Sequence, residues 1–243
     1  MPTAVVPPYL NSGIYALGQC TRGPVNSWVG ARTATFSTST SQTTNGGMQA
    51  QAVPGGRGVG YTIKRTFAWY DLATYTSGGN TISLMEIEIQ PLISLGTVVD
   101  GVIVEGTAFS TNTTQLISSI DINKYNPSNN YSNQFSFPNS TTGFNVSLNA
   151  AAISDANANQ LIGLCFLTYQ YDYLGTDPYA GGAASVNYLD TINFSAPAKV
   201  ALDITYASSG PAWDNSMNGI AAADIASING IAAADLASIN GIL

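Results

Sequence analysis

Hydrophobic and polar residues alternate through most of the middle of this chain. Thr81–Gln90 reads TISLMEIEIQ, with Met85, Ile87 and Ile89 on one parity and Glu86, Glu88 and Gln90 on the other. A period of two over such a stretch predicts a strand with one face in a core and one in water. Tyr61–Asp71 (YTIKRTFAWYD) alternates too and is rich in aromatic and β-branched residues. Further strands are expected over Thr97–Phe109, Phe144–Leu148, Gly163–Tyr171, Val186–Phe194 and Val200–Tyr206. Turn formers separate them at Ser77-Gly78-Gly79-Asn80, Asn126–Asn130, Asn139–Gly143 and Gly175–Gly182. Ala150–Gln160 fits one short helix, and Thr35–Gly60, low in apolar residues, reads as a long surface excursion. Many strands divided by turns predict an all-β chain, a jelly-roll-like β-sandwich over residues 29–207.

The ends read differently. In residues 1–28, Pro2, Pro7 and Pro8 block helix and favour extended chain. Such a lead either reaches across a neighbouring subunit as an arm or folds back on its own domain. It lacks the basic and unbroken apolar regions of a signal peptide, and no stretch is long and apolar enough to predict a membrane span.

Residues 208–243 hold a linker and an internal repeat. Asn218–Ile228 reads NGIAAADIASI and Asn229–Ile239 reads NGIAAADLASI, with a third copy beginning at Asn240. The apolar positions are Met217, Ile220, Ile225, Ile228, Ile231, Leu236, Ile239 and Ile242. On a helix, those from Ile220 onward fall within an arc of roughly 160°. A short helical tail is therefore expected, with these eight residues as an assembly interface. Gly219, Gly230 and Gly241 pull the other way, because each Asn-Gly is a turn signal. The competing picture has short helical turns broken by Asn-Gly bends. In both pictures the Ile and Leu side chains need a surface to cover them.

Composition narrows the function. Only 9% of residues are charged, and the formal net charge is −7. Seven Lys and Arg without a basic cluster argue against nucleic-acid binding and against adsorption to anionic membranes. A polar, weakly charged surface suits a protein packed among copies of itself. The absence of His excludes the common hydrolytic triads and the usual zinc sites. Cys20 and Cys165 could form a disulfide, but the apolar run around Cys165 favours a buried free thiol.

Candidate chemistry is sparse. Glu86 and Glu88 lie on one strand face, yet a glycosidase needs two carboxylates flanking a cleft, and solvent-facing residues are the simpler reading. Asp71, Asp100, Asp172 and Asp190 offer oxygen ligands without calcium-loop spacing. No catalytic residue, metal or cofactor is therefore assigned. Tyr169, Tyr171, Tyr173 and Tyr179 cluster near a Gly-rich stretch and are candidates for contact with a glycan. Their alternative role is to fill the core and rim an interface. Sequons begin at Asn112, Asn130, Asn139, Asn145 and Asn193, about as many as this composition yields by chance.

Arg65–Leu72 (RTFAWYDL), the Ser77–Ile82 loop and the strand to Ile89 resemble the start of DNRLRE-type domains, which are carbohydrate-binding-module-like jelly rolls. Val146–Asn149, Gly163–Asp172 and Lys199–Tyr206 resemble that family's closing strands, so the likeness spans about residues 29–207. The Glu-bearing strand and the insertion around Asn126–Phe137 depart from it. The tail is similar to NGIAAADIASI-type repeats of bacteriophage tail-fibre and structural proteins. Together the resemblances imply a non-enzymatic structural subunit of a virion, tail or fibre, located in the virion or outside the cell. It would associate with copies of itself or with other subunits of the particle. The alternative they imply is a carbohydrate- or receptor-binding module with a surface glycan as partner.

Overall fold

A computed structural model describes residues 1–8, 10–11, 14–15, 17–42, 46–55, 58–89, 99–108, 119–137, 142–179, 186–192, 201–207, 227–228 and 231–232. The chain is mainly β. Its strands are β1 (Thr3–Val6), β2 (Leu10–Asn11), β3 (Ile14–Tyr15), β4 (Leu17–Val25), β5 (Ser39–Gln42) and β6 (Gly46–Gly55). Then follow β7 (Gly58–Asp71), β8 (Thr81–Ile89), β9 (Val99–Gly106), β10 (Tyr125–Asn130), β11 (Phe135–Phe137) and β12 (Phe144–Ser147). Last come β13 (Leu161–Thr168), β14 (Val186–Ile192), β15 (Leu202–Ala207), β16 (Ser227–Ile228) and β17 (Ile231–Ala232). The α-helices are α1 (Trp28–Arg32), α2 (Ala73–Thr76) and α3 (Ala150–Asn159).

Two antiparallel sheets stack in a sandwich-like arrangement. The small sheet has four strands in the order β1-β15-β8-β12. The large sheet runs β10-β9-β13-β7-β4-β5, with β11 on β9, β6 on β7 and β14 on β6. The inner core lies between the sheets. The small sheet contributes Ile82, Met85, Ile87 and Ile89, and the large sheet contributes Ala68, Tyr70, Leu164 and Phe166. The expected parity of β8 holds: Met85, Ile87 and Ile89 are fully buried, while Glu86 and Glu88 face outward and are half-buried. Phe135, Phe137 and Phe144 pack together at the inner core, Phe137 edge to face with both others, with ring centroids 5.2–6.1 Å apart.

The large sheet buries its other face as well. Cys20, Ile63, Phe67, Val102, Val104 and Leu167 point into an outer core covered by α1 and neighbouring turns. This is why β7 reads as a nearly continuous buried run from Arg65 to Tyr70 rather than as a half-buried strand. Cys20 and Cys165 both sit in this layer as buried thiols that are not joined in a disulfide.

The helix expected over Ala150–Gln160 is α3. Asn149 caps it by accepting from the Ala151 and Ala152 backbone N–H groups, and Gln160 ends it in the left-handed conformation. The excursion expected over Thr35–Gly60 is instead largely sheet. β6 pairs with both β7 and β14, and it buries Met48, Ala50 and Ala52. Its alternation of Met/Ala with Gln was hidden by small side chains that carry little hydropathy. The insertion around Asn126–Phe137 likewise holds β10 and β11. Of the N-terminal lead, Thr3–Val6 lies along β15 and Leu17–Val25 lies between β7 and β5.

In the tail, Ser227 pairs with Ala232 and Ile228 with Ile231. These four residues form an antiparallel strand pair, not the helix expected of them. Met217, Ile220, Ile225, Leu236, Ile239 and Ile242 lie outside the described residues.

Candidate functional site

Two polar features stand out, one on each side of the large sheet. The first grows from the end of β13. After Thr168 the chain makes a single π-helical turn, Tyr169–Tyr173, and the Thr168 hydroxyl accepts from the Asp172 backbone N–H at 3.2 Å. Such turns re-aim side chains and recur at functional sites. Here the turn drives Asp172 inward and leaves tyrosines toward the surface. Asp172 meets Arg65 in a two-pronged ion pair, with Nε–Oδ2 and Nη2–Oδ1 both 2.8 Å. Arg65 has no solvent exposure. Its remaining donors reach the Ile122 carbonyl at 2.7 Å and the Arg32 carbonyl at 2.8 Å, and the Tyr125 ring lies 4.4 Å from the guanidinium carbon. Burial works against the charge, but the Asp172 carboxylate more than offsets this and holds the guanidinium protonated.

Around this pair the structure brings together the four candidate tyrosines. Tyr169 and Tyr173 stack, with centroids 5.6 Å apart and planes 23° apart. Tyr171 and Tyr179 pack with them against the outer core, and all four are half-buried. Tyr61 donates to Asp177 at 3.2 Å, and its ring lies 6.0 Å from that of Trp28. Val29 and Leu174 add exposed apolar surface on α1 and just after the π turn. Arg32 ties the two segments by donating to the Asp172 carbonyl at 3.0 Å. The rings thus serve the core and also present partial faces to solvent, the arrangement a stacking contact requires.

The second feature is a cleft of about 560 Å³ where α3 crosses β9, β10 and β13. Asn129 donates to both Glu105 (3.2 Å) and Asp155 (3.1 Å). Asn126 also donates to Glu105 at 2.9 Å, and the Tyr131 hydroxyl donates to Asp155 at 2.7 Å. Burial, the Asp155 bond and the nearby carboxylates raise the Tyr131 pKa, so it stays a neutral donor. No Lys or Arg lines the cleft. Its amide donors are spent on the carboxylates, so it presents mainly acceptors and repels anions. Pattern reasoning missed these residues because Glu105, Asn129, Tyr131 and Asp155 are spread over fifty positions with no local motif.

The other weighed carboxylates are not brought together. Glu86 and Glu88 lie on the outer face of the small sheet, where Ser147 and Asn145 donate to Glu86 at 2.8 and 3.4 Å. Asp71 caps the backbone of Ala73, Asp100 accepts from Gln134 and Ser136, and Asp172 is held by Arg65. Asp190 lies on β14, whose side chains are outside the described residues. Among the described residues no cluster of metal-ligating side chains forms. No helix among them is long and apolar enough to cross a membrane. No known protein family matches this sequence, and no curated protein is detectably similar to it.

Proposed function

We propose that this chain is a non-enzymatic structural subunit of a virion, tail or fibre, built on a jelly-roll-like sandwich of the DNRLRE type and working in the particle or outside the cell. It self-associates, or docks on other subunits, through the repeat tail. The observation that carries the reading is the tandem NGIAAAD(I/L)ASI, identical at all but one of its eleven positions. Apolar residues held at fixed spacing, in a segment too short to bury them alone, need a partner surface. The low charge of the chain supports the same reading, since neighbouring copies repel one another weakly. Negative-stain imaging of the full chain tests it. Rings, trimers or filaments are expected, and they should disperse when residues 218–243 are removed; single particles from the full chain would overturn it.

One observation favours a second role, glycan or receptor binding at the π turn. Tyr169 and Tyr173 already stack at the surface, and Tyr171 and Tyr179 flank them. A glycan array probed with the assembled protein should give hits that Tyr173→Ala abolishes. An array without hits removes this role and leaves the subunit reading intact.

A further inference from the structure

On the outer side of the large sheet, α1 meets the chain just after the π turn. Ser27 caps α1 by accepting from the Gly30 backbone N–H, and Val29 and Arg32 stand three residues apart on one face of the helix. Arg32 donates from Nε to the Asp172 carbonyl at 3.0 Å, and a side chain on Gly175 would run into its guanidinium. Leu174 lies between those two contacts in the chain. Val29 is 64% exposed and Leu174 is 54% exposed. Arg32 is half-buried, and its terminal nitrogens donate to no acceptor among the described residues. One small patch thus offers two apolar side chains with an unspent guanidinium beside them.

The repeat is complementary to this patch. Asp224 directly precedes Ile225, and Asp235 directly precedes Leu236. Each full copy therefore carries a carboxylate and a large apolar side chain on residues about 3.8 Å apart at Cα. Residues 208–243 hold Asp214, Asp224 and Asp235 but no Lys or Arg, so the cation must come from the surface they meet. The outer face of the small sheet cannot supply it. Glu86, Glu88 and Asp203 lie there, and none of that sheet's four strands contains Lys or Arg. A tail laid on that face would set like charges together. Position points the same way. The tail follows β15 in the small sheet, while the patch lies on the far side of the large sheet, so both layers stand between a chain's tail and its own patch.

We propose that Val29, Arg32 and Leu174 form the seat for the repeat tail of a neighbouring copy. Ile225 or Leu236 covers Val29 and Leu174, and the adjoining Asp pairs with Arg32. The proposal rests on the self-association reading and names the surface that the tail takes. Tail and seat are different surfaces, so each copy gives one tail and receives one. Such contacts close into a ring of two or more copies or run on as a filament.

Val29→Glu with Leu174→Glu changes two exposed side chains and leaves both cores as they are. In the full-length chain, this pair should lower the mass of the assembly at least about twofold while Cys20 and Cys165 stay protected. An unchanged mass overturns the proposal. Asp224→Lys with Asp235→Lys tests the charge from the other side and should disperse the assembly by the same factor; retained assembly overturns the pairing with Arg32. Cross-linking then locates the contact. Full-length chains carrying Leu174→Cys are mixed with tagged chains carrying Ile225→Cys or Leu236→Cys, oxidised and run without reductant. A mixed covalent dimer is expected from at least one of the two mixtures. If deleting residues 218–243 disperses the assembly but neither mixture cross-links, the seat fails and the subunit reading stands. A chain carrying both cysteines that closes on itself as a monomer, with no mixed dimer, also overturns the proposal. If the full chain is monomeric, both fail.

Discussion

Arg65 and Asp172, far apart in the chain, meet as a two-pronged ion pair fully buried in the outer core, both contacts at 2.8 Å. The pair fastens the π turn to β7 and so fixes where the tyrosines stand. Asp172→Ala leaves a guanidinium buried without its counter-charge. It should cost about 3–5 kcal/mol in urea denaturation. Arg65→Met with Asp172→Leu should recover part of that loss. Recovery would be incomplete, because the Ile122 and Arg32 carbonyls lose their donor.

The two thiols should be silent in the native protein. Burial, with help from the Asp121 carboxylate, pushes the Cys20 thiol up to about 12, and burial raises Cys165 as well. A thiol reagent at pH 8 should modify neither cysteine until denaturant is added, when both react. Fast modification of either in the native state would contradict the burial described for the outer core.

On the outer face of the small sheet, burial and the opposed Glu86 raise the Asp203 pKa. The folded state therefore holds this proton more tightly than the unfolded state does. Ionised Asp203 works against folding at neutral pH, and the penalty fades as pH falls through its raised pKa. Asp203→Asn should raise the melting temperature at pH 7, with the gain shrinking toward acidic pH. A gain that is constant with pH would mean that charge is not the cause.

Gly163 on β13 lies so close to the Gly106 carbonyl of β9 that a Cβ there would collide with it. Gly163→Ala must push the two central strands apart and should cost about 1–3 kcal/mol or more. The same change should alter the neighbouring Glu105–Asp155 cleft, visible as shifted amide signals for Asn129 and Tyr131.

The sequence reveals what alternation encodes. β8 was legible because Ile and Glu differ sharply in hydropathy, and α3 because Asn149 precedes a run of alanines. β6 was illegible because Ala and Gln differ little, although the alternation is there. The buried second face of the large sheet shows in the sequence only as near-continuous apolar runs such as the one around Cys165, and nothing in such a run says what covers it. Arg65 appeared only as part of a motif. Nothing nearby in the chain announced that Asp172 would receive it, or that a π turn would aim it. The four tyrosines were foreseeable as a group, because they crowd into eleven positions. The cleft was not, because its residues come from four elements. In the tail the helical spacing and the Asn-Gly signals conflict, and the residues described there, Ser227–Ile228 and Ile231–Ala232, pair as strands.

The central claim is that this chain self-associates through its repeat. Light scattering coupled to size exclusion measures it most directly, on the full chain and on one ending at Met217. The full chain should elute at a multiple of its 25.3 kDa mass, and the truncated chain should fall to a lower order while keeping its native thiol protection. Equal oligomeric order for the two chains would contradict the account.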